Sequence, residues 1–141
     1  MTQEDKEILI QDLCGRLPYG VKAYIKKWSK LDRKYYEGVY TVESIDTSLN
    51  TIIADSERSC VEVIVGYDDY EIKPYLLPMS SMTEEQKVIY GDLCYSIIQS
   101  LAKNMQSELN ELINWLNANH FDYRGLIEKG LAIDATNLNI Y

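Results

Sequence analysis

The sequence has one histidine, one phenylalanine and three prolines in 141 residues, and its three cysteines carry no CxxC spacing. An odd cysteine count spread over Cys14, Cys60 and Cys94 excludes a disulfide framework or a structural zinc site as the organising feature. Each cysteine has apolar neighbours, so three buried free thiols are expected. A lone histidine, His120, makes no metal site without carboxylates placed around it. No GxSxG accompanies it as a nucleophile signature, so it is read as a structural or surface residue. The seven glycines are scattered, and neither GxGxxG nor GxxxxGK[ST] occurs. Phosphate-loop nucleotide chemistry is excluded on that ground. No catalytic residue, metal or cofactor is implied. Long apolar runs are missing too, none approaching the roughly 18 residues of a membrane span. The chain opens on Met1-Thr2-Gln3-Glu4-Asp5 where a signal peptide would carry bases, so a cytoplasmic location with no membrane partner is expected.

What is there is acidic and rich in tyrosine. Twelve tyrosines and a net charge of −8 accompany 46% apolar residues, an ordinary globular fraction. Length and composition fit one domain over 1–141, with a core that needs no staples.

Helix signals open the chain. Thr2 can accept from the N–H of Asp5, acids fill the first turn, and Leu9, Ile10, Leu13 and Cys14 share a face. Gly15 reads as the residue that ends this helix. Residues 21 to 78 read as short strands: one beginning at Val21–Ile25, then Gly38–Ile45, Thr51–Ala54, Cys60–Val65 and Tyr70–Ile72. Pro74 and Pro78 are expected to keep the next segment out of a central strand. Such closely spaced strands pair as antiparallel hairpins. The fold class is therefore α+β: an N-terminal helix, a small antiparallel sheet or SH3/Sm-like barrel, then C-terminal helices.

Thr83-Glu84-Glu85-Gln86 is a capping box. The apolar spacing after it runs through Tyr90, Leu93, Cys94, Ile97 and Leu101 and on from Leu109 to Leu116, with Leu93, Ile97 and Leu101 expected in the core. One helix over 84–117 would be about 50 Å long. Either it breaks near Lys103–Ser107 or its far end packs on another chain. A last helix over Tyr123–Lys129 is expected, capped by Asp122 and closed by Gly130, with Leu131 folding back onto Leu126. Residues 133–141 read as a loose tail.

Acids recur through the strand region at Asp46, Asp55, Glu57, Glu62, Asp68, Asp69 and Glu71, and read as a solvated loop face rather than a cation site. Charge is concentrated elsewhere. Between Lys22 and Tyr36 six bases face one acid, a balance of +5; eight bases and 21 acids leave −13 for the rest. Lys22, Lys26, Lys27, Lys30, Arg33 and Lys34 are interleaved there with Tyr24, Trp28, Tyr35 and Tyr36. Cations that meet phosphates beside rings that stack on bases are the equipment of single-strand binding. An exposed hairpin with a solvated basic side, or a dock for an acidic protein surface, uses the same residues. The candidate binding residues are Lys22, Lys26, Lys27, Trp28, Lys30, Arg33, Lys34, Tyr35 and Tyr36.

The stretch Trp115–Ala132, with Ile72-Lys73-Pro74-Tyr75-Leu76 and Met79–Glu85, resembles an uncharacterised family of small proteins encoded by gut bacteria and their phages and mobile elements. The resemblance covers residues 1–20 and 72–132 and brings no activity or site residues with it. It implies an accessory protein of a phage or mobile element. The expected function is non-catalytic binding to a protein partner or to further copies of the chain. A single-stranded RNA- or DNA-binding small barrel is one alternative, and an enzyme with an unrecognised site is another.

Overall fold

The computed structural model describes residues 1–100 and 105–141. Helix α1 (Gln3–Arg16) starts in the expected capping box: the Thr2 hydroxyl accepts from the N–H of Asp5, and the Asp5 carboxylate accepts from that of Thr2. The helix does not end at Gly15. It runs on to Arg16, and Gly15 lies inside it, where a Cβ would come within 3.0 Å of the Asn117 amide. A 3-10 turn at Leu17–Tyr19 follows and closes on Gly20, whose φ of 67° favours glycine.

Six strands come next: β1 (Lys22–Ser29), β2 (Lys34–Asp46), β3 (Thr51–Asp55), β4 (Cys60–Ile64), β5 (Tyr70–Leu76) and, at the far end of the chain, β6 (Ile133–Asp134). Their order in the sheet is β4-β3-β2-β1-β5-β6, antiparallel except for β5 with β6. Of the two alternatives, sheet or closed barrel, the sheet is found: it is open, with β4 at one edge and β6 at the other. Period-two alternation sets its faces. Ala23, Ile25, Tyr40, Val42, Ile52, Ala54, Val63 and Ile72 turn inward onto Leu9, Ile10 and Leu13 of α1 and form the main core.

β5 runs through Pro74 and lies between β1 and β6, against the expectation for that proline. Two backbone bonds explain how it fits. Val42 donates to Val21, and Trp28 donates to Asp69. The odd residues of β1 therefore bond to β2 and the even ones to β5, because antiparallel pairs alternate. Ala23 opposite Pro74 is thus a non-bonded pair. The absent N–H of Pro74 points away from β1, and β6 pairs only with Tyr75 and Leu76 beyond it.

Helix α2 (Glu84–Gln99) ends with Ser100 donating back to Ile97, and α3 (Met105–Ala118) returns beside it, with Tyr90 and Trp115 ring centroids 6.5 Å apart. The apolar stretch is therefore two helices rather than one. No residue of α2 is buried: Leu93 and Ile97 are half-buried, not core. Leu101, the third residue expected there, lies outside the described residues. Among the described residues no helix is long and apolar enough to cross a membrane.

The segment 123–129 is a chain of turns, not a helix. Its expected end chemistry is nonetheless present. The Asp122 carboxylate accepts from Leu126 and Ile127, Gly130 has φ 72°, and the N–H of Leu131 donates to Leu126. Residues 133–141 are tied down rather than loose. β6 pairs in parallel with β5, Ala135 is buried, and the Tyr141 hydroxyl donates to the Tyr75 carbonyl. Nor are the thiols all buried: Cys60 is exposed on edge strand β4, while Cys14 and Cys94 are half-buried.

Candidate interaction site

The nine basic and aromatic candidates form the β1–β2 hairpin but do not share one surface. Even residues of β1 face away from the core, so Lys26 and Trp28 project outward with Tyr35 of β2, while Lys27, Lys34 and Tyr36 project on the opposite face. Lys30 and Arg33 occupy the four-residue turn, which Arg33 closes at φ 53°. Leu31 between them is 93% exposed. The turn is held by its one acid: the Asp32 carboxylate accepts from Tyr36, at 2.7 Å, and from Ser29, and these bonds hold its pKa below the usual range. Lys22 stands at the other end of β1, where its ammonium donates to the Ile140 carbonyl at 2.8 Å. At about 3.3 Å per residue it is some 20 Å from Trp28.

Acids break up the positive field. Lys26 has Glu37 opposite it on β2 and Glu71 opposite it on β5. Lys30 lies 3.5 Å from Asp69, an exposed pair of little energetic weight. Adding these three neighbours lowers the local balance from +5 to +2. The rings are occupied as well. The Lys26 ammonium sits 4.5 Å from the Tyr35 ring and that of Lys34 4.6 Å from Tyr36, while Trp28 and Tyr35 meet at 4.8 Å and 59°. Tyr24 donates its hydroxyl to Glu37, and this bond, more than burial, raises its pKa to about 12.

The same hairpin has a feature that composition does not reveal. β2 pairs with β1 from Lys34 to Thr41, but with β3 only from Thr41 onward. Among the described residues the outer edge of β2 from Lys34 to Tyr40 therefore has no neighbouring strand. By the alternation set by the Val42–Val21 bond, the backbone groups pointing out of this edge belong to Tyr35, Glu37 and Val39. Tyr35 is 54% and Val39 43% exposed. A groove of about 640 Å³ runs along this edge, past Glu37, Val39 and Thr41, and ends against Ser56 and Arg58 of the β3–β4 loop. β2 is longer than the strand expected from Gly38: it continues backward to Lys34 through Tyr35 and Tyr36, whose aromatic rings favour extended chain.

His120 is buried at φ 57°, stacked on Tyr141 at 3.6 Å and 8°. Burial, with Arg16 and Lys22 nearby, lowers its pKa to about 4, so it is neutral at physiological pH. Its ring packs the end of the chain against the segment that follows α3. Beside it Arg16, fully buried, donates to both oxygens of Asp12 at 2.7 and 2.9 Å and to the Phe121 carbonyl at 2.7 Å. This pair joins α1 to the C-terminal segment. Among the described residues no three His, Cys, Asp or Glu side chains come together as a metal site. No family model, curated protein or solved structure matches the chain.

Proposed function

We propose that this chain is a non-catalytic interaction protein that takes an extended peptide segment of a partner protein along the outer edge of β2. The unpaired backbone groups of Tyr35, Glu37 and Val39, the last two facing an open groove, carry this reading. An added strand would satisfy them, the backbone giving affinity and alternate side chains giving specificity. Tyr35 and Val39 project on one side of that edge, so the partner places apolar residues at alternate positions. Lys22 and Arg58 stand against Glu37, Asp55 and Glu57 around the groove, a balance of −1 that suits a segment of low or slightly positive charge. A second copy is a poor occupant: edge-to-edge pairing centred on the strand sets Glu37 against Glu37, and like charges directly opposite destabilise a ladder. The resemblance to proteins of phages and mobile elements suits an accessory role of this kind.

Val39→Pro tests the reading. The Val39 N–H is not bonded to β1, so the hairpin tolerates proline while the edge loses a donor. Peptides selected from a random displayed library on the wild-type protein should shift the amide signals of Tyr35, Glu37 and Val39. They should lose affinity for folded Val39→Pro. Equal binding to the variant, or shifts confined elsewhere, defeats the proposal. Trp28, Tyr35 and Lys26, aromatic and cationic side chains grouped on one face, favour single-stranded nucleic acid as a second reading. Its signature is affinity for labelled single strands that falls steeply with salt and flattens on changing Lys26, Lys27 and Lys30 to Gln.

A further inference from the structure

We infer that α2 is a dimerisation helix, packing against α2 of a second copy in an antiparallel crossing centred on Gly91. This inference is independent of the β2 edge. α2 carries two apolar stripes. Tyr90, Leu93, Cys94 and Ile97 are half-buried, with Tyr90 against Trp115 of α3. The other stripe is Val88, Gly91, Tyr95 and Ile98, spaced three, four and three residues apart as in a helix–helix seam. Among the described residues nothing covers it: Val88 is 64%, Tyr95 61% and Ile98 72% exposed.

Gly91 says what the stripe meets. Glycine inside a helix destabilises it relative to alanine. Here no contact among the described residues requires one: a Cβ at Gly91 would have none of their atoms within 4 Å, and the residue takes no left-handed conformation. The cost is offset when another backbone approaches at that point. The stripe is also self-complementary. Across a two-fold axis at Gly91, Val88 of each copy lies beside Tyr95 of the other, and the notch of each faces the notch of its equal, as a closed isologous contact requires. Charge selects the antiparallel sense. Glu84 and Glu85 fill the first turn, whereas Leu93–Gln99 carries no charge. Antiparallel helices set each acidic turn beside the other's uncharged half, and parallel ones would confront the two acidic turns. A long apolar seam left in water marks an interface.

Sedimentation equilibrium on the whole chain decides it. The expected mass is twice the 16.3 kDa of one chain. Gly91→Leu should weaken the dimer by at least about tenfold, a change of one unit in log Kd. Gly91→Ala adds a reading that a merely structural glycine would not give: the helix itself becomes more stable, so the dilute protein melts higher, while the dimer weakens. Ile98→Asp, exposed in the single chain, should give a folded monomer by circular dichroism. A single-chain mass at concentrations up to about 1 mM overturns the inference, since such a dimer would be too weak to matter. So does a dimer indifferent to Gly91→Leu and Ile98→Asp, or an open series of larger assemblies, which a two-fold contact does not produce.

Discussion

Replacing Asp12 by Ala should be among the most damaging single changes in this chain. Arg16 is fully buried, and two of its donors end on the Asp12 carboxylate at 2.7 and 2.9 Å. Its Nη1 already lacks a partner. Without Asp12 the guanidinium keeps only the Phe121 carbonyl, at 2.7 Å, and carries an uncompensated charge in the interior. Breaking such a pair from one side costs about 3–5 kcal/mol. Native stability for a domain is about 5–15 kcal/mol, so about a fifth or more of it goes. With a urea slope of about 2 kcal/mol per molar, the unfolding midpoint should fall by roughly 1.5–2.5 M. The assay is urea denaturation followed by circular dichroism on four proteins: wild type, Asp12→Ala, Arg16→Met and the double variant. Removing both partners removes the buried charge, so the double variant should be more stable than Asp12→Ala alone. Arg124, whose Nε lies 3.4 Å from Asp12, partly compensates in Arg16→Met and makes that the milder single change. A loss below about 1 kcal/mol for Asp12→Ala, under the range for a buried pair, would refute the reasoning. Strictly additive singles would do the same.

Three further changes probe other joints. His120 is neutral when folded, and its folded pKa of about 4 lies below the unfolded value of 6.5. The unfolded chain takes up the proton first, so stability is lost as pH falls from 6.5 toward 4, by about 3 kcal/mol at most. His120→Asn, which tolerates the positive φ, should flatten the melting-temperature decline over that interval. Asp122→Ala strands the N–H groups of Leu126 and Ile127 and should cost about 2 kcal/mol, read from the urea midpoint. Thr83→Ala removes the α2 cap, which accepts from Gln86, and should cost about 1 kcal/mol by the same measurement.

Local chemistry was the legible part of this sequence. The caps at Thr2 and Thr83, the left-handed Gly130 and the return of Leu131 onto Leu126 all depend on residues within five positions of one another, and each is found. The antiparallel sheet was legible from alternation wherever one face is buried. It failed at the hairpin end, where β2 is exposed on both sides from Lys34 to Glu37 and alternation has nothing to track. α2 misled differently. Helical periodicity showed apolar stripes without saying which was covered, so Leu93 and Ile97 were read as core. The parallel pairing of β5 with β6 joins Tyr75 to Ile133, a partnership no local pattern encodes. The nine candidate residues were found on one hairpin, as their closeness in sequence implies. The division of that hairpin into two faces, and the acids that β5 brings beside it, depended on strand order.

The half-paired stretch of β2 has a consequence for solvent exchange. Along Lys34–Tyr40 successive amides point alternately toward β1 and toward water. Hydrogen exchange should therefore alternate residue by residue along this one strand. The amides of Tyr35, Glu37 and Val39 should exchange at rates near those of an open chain. Those of Tyr36, Gly38 and Tyr40 exchange only when the hairpin opens. Past Thr41, where β3 takes up the outer edge, the alternation should vanish and both sets should slow together. The boundary between these regimes marks, amide by amide, where β2 stops being the edge of the sheet.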